Sequence, residues 1–235
     1  MIGMDLLMPN DPQNRFYGVT VGLVTNNKDP DNLGRVKVKF PWLSDKDESY
    51  WARVLTPMAG SDRGIYFLPE VDDEVLVAFE MGDIAFPYIL GALWNGKNKP
   101  PEKNEDGKNN KRIIKSRSGH KIVLDDTEGQ EQIVIQDKTG NNKITIDSKN
   151  NTMEIKVEKD LTIQTKGKIT LKSSDNDLSI ECKNLSIKTQ QNYQLEAGAD
   201  CQIKAQSKCD LEANSGLGIK CSAGVKVNDG AWEVM

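Results

Sequence analysis

From Met153 to Val227 the chain repeats every eight residues, and each repeat carries two apolar residues in an h-x-h pair. The pairs are Met153/Ile155, Leu161/Ile163, Ile169/Leu171, Leu178/Ile180, Leu185/Ile187, Tyr193/Leu195, Cys201/Ile203, Cys209/Leu211, Leu217/Ile219 and Val225/Val227. Only around Leu178 does the spacing change. A nine is followed by a seven there, so one residue has moved across a turn and the long-range phase is kept. Alternation within a pair is the strand period, with one face buried and one wet. Eight residues hold one short strand and one turn. Such a unit cannot bury its apolar face alone, so the repeats must stack.

Each repeat offers only two or three inward apolar side chains among Thr, Ser, Lys, Gln, Asp and Glu. A single chain folded on itself from these repeats has a very thin core. Three chains wound around one axis solve the problem: the apolar pairs meet at the axis, and neighbouring chains satisfy each strand's backbone groups and hide its edges. The expected trimer core is Leu161, Ile163, Ile169, Leu171, Leu185, Ile187, Leu195, Cys201, Ile203, Cys209, Leu211, Leu217 and Ile219. With strands stacked at about 4.8 Å, ten repeats make a rod on the order of 50 Å long. A single-chain β-solenoid is the alternative, though solenoid rungs are usually longer.

The composition fits a small globular domain joined to a fibrous one. Hydrophobic residues make up 37% of 235, and the mean hydropathy is −0.56. That is lean for one core of this length. Net charge is −4, which speaks against a nucleic-acid or anionic-membrane surface. No apolar run approaches a membrane span. The opening Met1-Ile2-Gly3-Met4-Asp5-Leu6-Leu7-Met8 is too short, lacks a basic start and contains an acid, so it does not read as a signal peptide. It reads as a docking segment over 1–14, against a disordered terminus. The four cysteines are Cys182, Cys201, Cys209 and Cys221. Cys201 and Cys209 sit at inward positions, but no histidine or carboxylate is in phase to complete a metal site, so they read as small buried hydrophobes of a reducing compartment.

Residues 15–95 read as a compact all-β domain. Strand candidates are Tyr17–Val24, Arg35–Phe40, Tyr50–Val54, Glu74–Glu80 and Tyr88–Leu93, separated by turn chemistry. Five short strands suit a small Greek-key barrel of the OB type, with Trp42, Trp51, Phe67, Phe79 and Trp94 expected to supply much of the core. Residues 96–112 contain no large apolar residue and form a polar linker. Residues 113–152 carry h-x-h pairs at wider spacing, Ile122/Leu124, Ile133/Ile135 and Ile144/Ile146. They are expected to form neck strands at the base of the octad fibre, which runs over 153–227. The fold class expected is therefore all-β: an OB barrel followed by an intertwined triple-stranded β-helix in a homotrimer.

The first domain also carries a resemblance. Gly34-Arg-Val-Lys-Val-Lys-Phe-Pro-Trp42, Trp51-Ala-Arg-Val54, Arg63-Gly64, Phe67-Leu-Pro-Glu-Val-Asp-Asp-Glu-Val-Leu-Val77, Gly82-Asp83 and Pro87-Tyr-Ile-Leu-Gly-Ala-Leu-Trp-Asn-Gly96 followed by Pro100-Pro101 resemble the OB domain of the phage baseplate assembly protein V and VgrG family. These are the central spikes of contractile tails and type VI secretion systems. Ser118-Gly-His-Lys-Ile-Val-Leu-Asp-Asp-Thr-Glu-Gly-Gln-Glu131 resembles the neck of the same family, and the octads its β-helix. The resemblance implies a rigid homotrimeric spike that links a baseplate hub to a PAAR-like tip and pierces a target envelope. It also implies a place at the tip of a tail-like particle assembled in the cytoplasm, with only transient contact with that envelope. Type VI VgrG proteins place a large hub region before the OB domain, whereas about 15 residues precede it here. That departure points to a separate-spike arrangement, with hub contacts at Met1, Ile2, Met4, Leu6, Leu7 and Met8. Lysozyme domains inserted in some relatives, and terminal histidine pairs that bind iron in others, have no counterpart in this sequence.

The sequence gives little reason to expect catalysis. Asp72-Asp73-Glu74, Asp125-Asp126 and Asp45-Lys-Asp47-Glu48 lie at turns or strand starts without converging partners, and no G-x-S-x-G, P-loop or H-E-x-x-H occurs. The sole histidine, His120, begins a strand. No cofactor, metal or nucleic-acid partner is expected. The runner-up is a trimeric β-helix that degrades surface glycans, but Tyr193 is the only aromatic between Leu161 and Val227, which leaves no sugar platform. Beyond the last octad, Asn228-Asp-Gly is a turn signal and Ala231, Trp232, Val234 and Met235 have no further repeat to pack on. Three copies of 228–235 make either an apolar seat, which the resemblance assigns to the tip protein, or a cap over the last rung.

Overall fold

Strand-period burial builds the first sheet in the computed structural model, which describes residues 15–43 and 47–224. Its elements are β1 (Thr20–Asn26), β2 (Lys37–Lys39), β3 (Arg53–Val54), the small hairpin β4 (Ala59–Gly60) and β5 (Arg63–Gly64), β6 (Glu74–Phe79) and β7 (Pro87–Ala92). In β6 every second side chain is buried: Val75, Val77 and Phe79 point in. The sheet order is β2-β1-β6-β7-β3, antiparallel except for the parallel β3–β7 pair. Val36 and Ala52 exchange two backbone hydrogen bonds (3.0 and 2.7 Å), drawing the β2 side toward the β3 side. The result is the half-barrel expected of an OB domain.

The core of this half-barrel is Val24, Val36, Val38, Ala52, Val75, Val77 and Ile89, with Phe40 and Phe79 at its rim. Here the structure corrects the expectation drawn from the aromatics. Only Phe79 of the five is in the core; Trp42, Phe67 and Trp94 are 57%, 69% and 70% exposed. Trp51 is half-buried, with the cations of Arg35 and Lys37 5.9 and 5.5 Å from its ring. A barrel of such short strands has room inside for β-branched side chains. Trp42 and Trp94 follow strand ends, where the chain turns outward. Trp42 packs on the rim instead: its ring stacks on Phe16 at 5.8 Å and its Nε1 donates to Thr20 Oγ1 at 2.7 Å.

Two local devices hold the barrel's loops. The buried Asp29 carboxylate accepts from the backbone N–H groups of Asp31, Leu33 and Arg35 and from the Arg35 guanidinium at 2.7 and 2.9 Å. The β1–β2 loop is thereby folded around one ion pair. At the β4–β5 hairpin, Gly64 has φ +155°, and a Cβ there would stand 2.6 Å from the Met58 carbonyl oxygen. No other residue fits that site without moving backbone.

A second sheet follows. β8 (Lys111–Lys115), β9 (Lys121–Asp125), β10 (Gln132–Gln136), β11 (Lys143–Asp147) and β12 (Thr152–Lys156) form an antiparallel meander in sequential order. The Met153/Ile155 pair, first of the octad series, is strand β12 and pairs with β11. Three of its turns are built on an aspartate at the end of a strand or just after it. Asp125 accepts from Thr127, Asp137 from Thr139, Gly140 and Asn142, and Asp147 from Asn150. These are side-chain mimics of backbone turns.

The chain divides into two units after Gln164. In the second unit, among the described residues, no hydrogen-bonded strand forms, and residues 165–224 are exposed throughout. Its backbone nevertheless keeps time. Bends fall at 166–167, 174–176, 183, 190–191, 198–199, 206–207 and 214–215, stepping with the octad and lying between the apolar pairs.

Two predictions follow from this packing. Ile89→Ala removes a fully buried side chain at the centre of the barrel. It should cost about 2–5 kcal/mol in urea unfolding of the OB domain. The second concerns acid. Hydrogen bonds from Asn142 and then Thr139 hold the Asp137 carboxyl down at about 2, and turn donors likewise lower Asp125 and Asp147. A depressed carboxylate contributes stability that is present above the unfolded pKa near 4 and is lost as pH falls through the folded value. Thermal melts from pH 5 to pH 2 should therefore show the neck weakening below about pH 4, and Asp137→Asn should flatten that dependence.

Candidate functional site

The strand period, combined with the neck register, places nine of the neck's apolar residues in two parallel rows on one face. Ile114, Ile122, Ile135, Ile144 and Ile155 occupy directly paired positions across the five strands. Beside them run Arg112, Leu124, Ile133, Ile146 and Met153. All nine apolar residues but Ile144 are large hydrophobics in the exposed class. Arg112 closes the row at one end and pairs with Asp126. Contiguous exposed apolar area on this scale marks an interaction surface. Among the described residues, the sheet's outer strands, β8 and β12, also leave one side each without a strand partner.

The octad pairs continue the same chemistry. Among the described residues, the large apolar side chains from Leu161 to Ile219 are between 53% (Ile169) and 75% (Ile203) exposed. The expected core positions Leu161, Ile163, Ile169, Leu171, Leu185, Ile187, Leu195, Ile203, Leu211, Leu217 and Ile219 are all in this set. Cys201 and Cys209 are free thiols and exposed. Among the described residues of one chain, then, nothing buries these positions. The expected hub contacts Met1, Ile2, Met4, Leu6, Leu7 and Met8 lie outside the described residues, as do the tip positions Ala231, Trp232, Val234 and Met235.

The neck face was only half visible in the sequence. Its h-x-h pairs stand out, but their membership of one continuous surface depends on a register that spacing alone does not fix. Ile114 lacks a partner at h-x-h distance, because Arg112 holds that position.

The polar clusters serve structure. Asp73 caps Glu70 N–H at 2.8 Å, Glu48 pairs with Lys37 at 3.3 Å, and Asp125 and Asp126 are engaged as described above. Asp45 lies outside the described residues. His120 is exposed, with its backbone N–H bonded to Ser116 Oγ at 3.0 Å. Among the described residues, no three His, Cys, Asp or Glu side chains converge as metal ligands. No described helix is long and apolar enough to cross a membrane.

Comparison with known proteins agrees with this architecture. Residues 20–94 match the type VI secretion system/phage-baseplate injector OB domain family. The chain is 35% identical over 111 residues to the type VI secretion system spike protein VgrG3 of Vibrio cholerae, covering 43% of this chain and 11% of that protein. It is 31% identical over 135 residues to the spike protein VgrG5 of Pseudomonas aeruginosa, covering 52% and 17%. A third similarity, 30% over 179 residues, covers 72% of this chain and 16% of the actin cross-linking toxin VgrG1 of Vibrio cholerae, reaching beyond the barrel. The chain thus spans less than a fifth of the length of each of these relatives. With residues 20–94 matched by the injector OB domain family and similarity to several VgrG proteins, the chain is VgrG-like and carries the type VI secretion system/phage-baseplate injector OB domain.

Proposed function

We propose that this chain is the central spike of a contractile injection machine, acting as a rigid homotrimer. The observation that carries the reading is the unburied apolar surface of the neck and octads. Fourteen large apolar side chains between Leu161 and Ile219 stand more than half exposed. At about 1–2 kcal/mol each, their burial is worth on the order of 20 kcal/mol per chain before ordering costs. A single chain of eight-residue repeats has too thin a core to recover much of that. Three copies meeting at an axis do, with the Thr, Lys, Gln and Glu positions left facing water. In this assembly the neck face packs toward the same axis, the octads wind into a triple-stranded β-helix, and sheet edges are covered by neighbouring copies. The relatives are named as spike proteins, which fits a mechanical rather than catalytic task.

The ends carry the contacts. The N-terminal segment, with Met1, Ile2, Met4, Leu6, Leu7 and Met8, together with the barrel, joins the spike to a baseplate hub. The C-terminal residues Ala231, Trp232, Val234 and Met235 seat a PAAR-like tip protein. Driven by contraction, the spike pierces the target envelope. Its resistance to unfolding comes from strands that must separate together.

Sedimentation of the purified chain should show a trimer, and a folded soluble monomer would sink the reading. Ile203→Asp places three carboxylates together at the axis without partners and should abolish the trimer. Gln202→Asp, one residue away on the wet side, should leave it intact; equal damage from both would put the octad register wrong. At the far end, Trp232→Ala should preserve the trimer and weaken tip-protein binding by at least tenfold in a pull-down titration, as for a central aromatic anchor. Unchanged tip binding would remove Trp232 from that interface.

A further inference from the structure

The opposite face of the neck sheet carries a charge pattern that assembly does not explain. The row next to its turns reads Lys115, Lys121, Gln136, Lys143, Lys156 across the five strands, each residue directly paired with the next. Lys115 opposes Lys121, and Lys143 opposes Lys156. Directly opposed like charges destabilise a sheet. Among the described residues only Lys143 of the four has an ion pair, with Glu154 at 3.7 Å. Neighbouring strands stand about 4.8 Å apart, so the four lysines share one row, a track crossing the sheet, with Gln136 between Lys121 and Lys143. Alongside it, Ile113, Val123 and Val134 occupy the middle row of this face. They line a recess of about 230 Å³ whose walls include Lys115, Lys121 and Gln136 on one side and Pro101 and Glu102 on the other.

We propose that this track binds a linear acidic polysaccharide laid across the strands. The lysines take carboxylates at successive positions, Gln136 takes a hydroxyl, and the half-buried Ile113, Val123 and Val134 lie against the C–H faces of the sugar rings. Two alternatives fit the face less well. Single-stranded nucleic acid requires aromatic stacking platforms, and no aromatic occurs in any of β8 to β12. Duplex DNA is entered by a helix or a two-stranded ribbon, whereas this track lies on a flat five-stranded face. The proposal needs only that this face stay wet, which the trimeric reading also requires, since the apolar face is then turned to the axis.

The test uses the full chain and fluorescein-labelled oligogalacturonate, with neutral dextran oligomers and oligothymidylate of matched charge as comparators. Anisotropy at low salt should show binding of the oligogalacturonate alone, weakening as salt rises. Lys115→Gln with Lys121→Gln should reduce affinity on the order of tenfold. Lys103→Gln with Lys108→Gln, which removes the same charge from the linker, should leave it unchanged. Absence of binding, equal loss from both double variants, or equally tight oligothymidylate binding would each overturn the proposal. Sedimentation of the same samples separates it from the assembly reading: an intact trimer that does not bind defeats the track alone, and a monomer defeats the trimer whatever the track binds.

Discussion

A β-strand of period two has two faces, and a repeat too short to fold back on itself can cover only one of them with water. Everything distinctive about this chain follows from that constraint. In the barrel, the sheet curls until Val36 meets Ala52, and the apolar face covers itself with valines. In the neck, the meander lies open and its isoleucine rows stay exposed. In the octads beyond β12, among the described residues, even the ladder is absent, although the bends keep their eight-residue rhythm. These are three answers to one burial problem. Only the first is complete without other molecules, which is why the trimer reading rests on the second and third.

The two charged devices in the first unit differ in what they secure. Asp29 and Arg35 tie a loop to the barrel through a nearly buried pair, where the cost of desolvation is met by three backbone N–H donors. The Arg35 guanidinium holds the Asp29 carboxyl far below the usual carboxylate range. The neck aspartates are half-buried and shape turns. Besides their acid response, they set where each strand ends and hence which side chains share a row.

Much of this was legible beforehand, for identifiable reasons. The neck pairs announce strand periodicity, and β6 and β7 fall within a residue of the expected Glu74–Glu80 and Tyr88–Leu93. The resemblance around Gly34–Trp42 and Phe67–Val77 is carried by residues that the structure places in or next to β2 and β6. The aromatic core was misread because hydrophobicity says nothing about cavity width. Trp42 and Trp94 are as apolar as Val75, but they sit beyond strand ends and do not fit a narrow interior. The lysine track was illegible for a different reason. Lys115, Lys121, Lys143 and Lys156 are scattered in the sequence and become neighbours only once the turns at Ser116–His120 and Asp137–Asn142 fix the pairing.

In the proposed trimer, the sequential order of the neck strands bears on how three chains would find one alignment. An octad fibre is nearly self-similar: a chain displaced by one repeat matches every apolar pair except the last and the two on either side of the step at Leu178, so the repeat itself only weakly distinguishes correct registration from a slip. The neck meander has no such translational symmetry. Each of its pairings joins strands adjacent in sequence, so it closes loops of little entropy and forms early, within one chain. Three preformed necks meeting face to face would start the winding from a common origin. The nine-then-seven step around Leu178 would act as a vernier mark further along, where a chain displaced by one repeat sets two apolar pairs one residue out of phase.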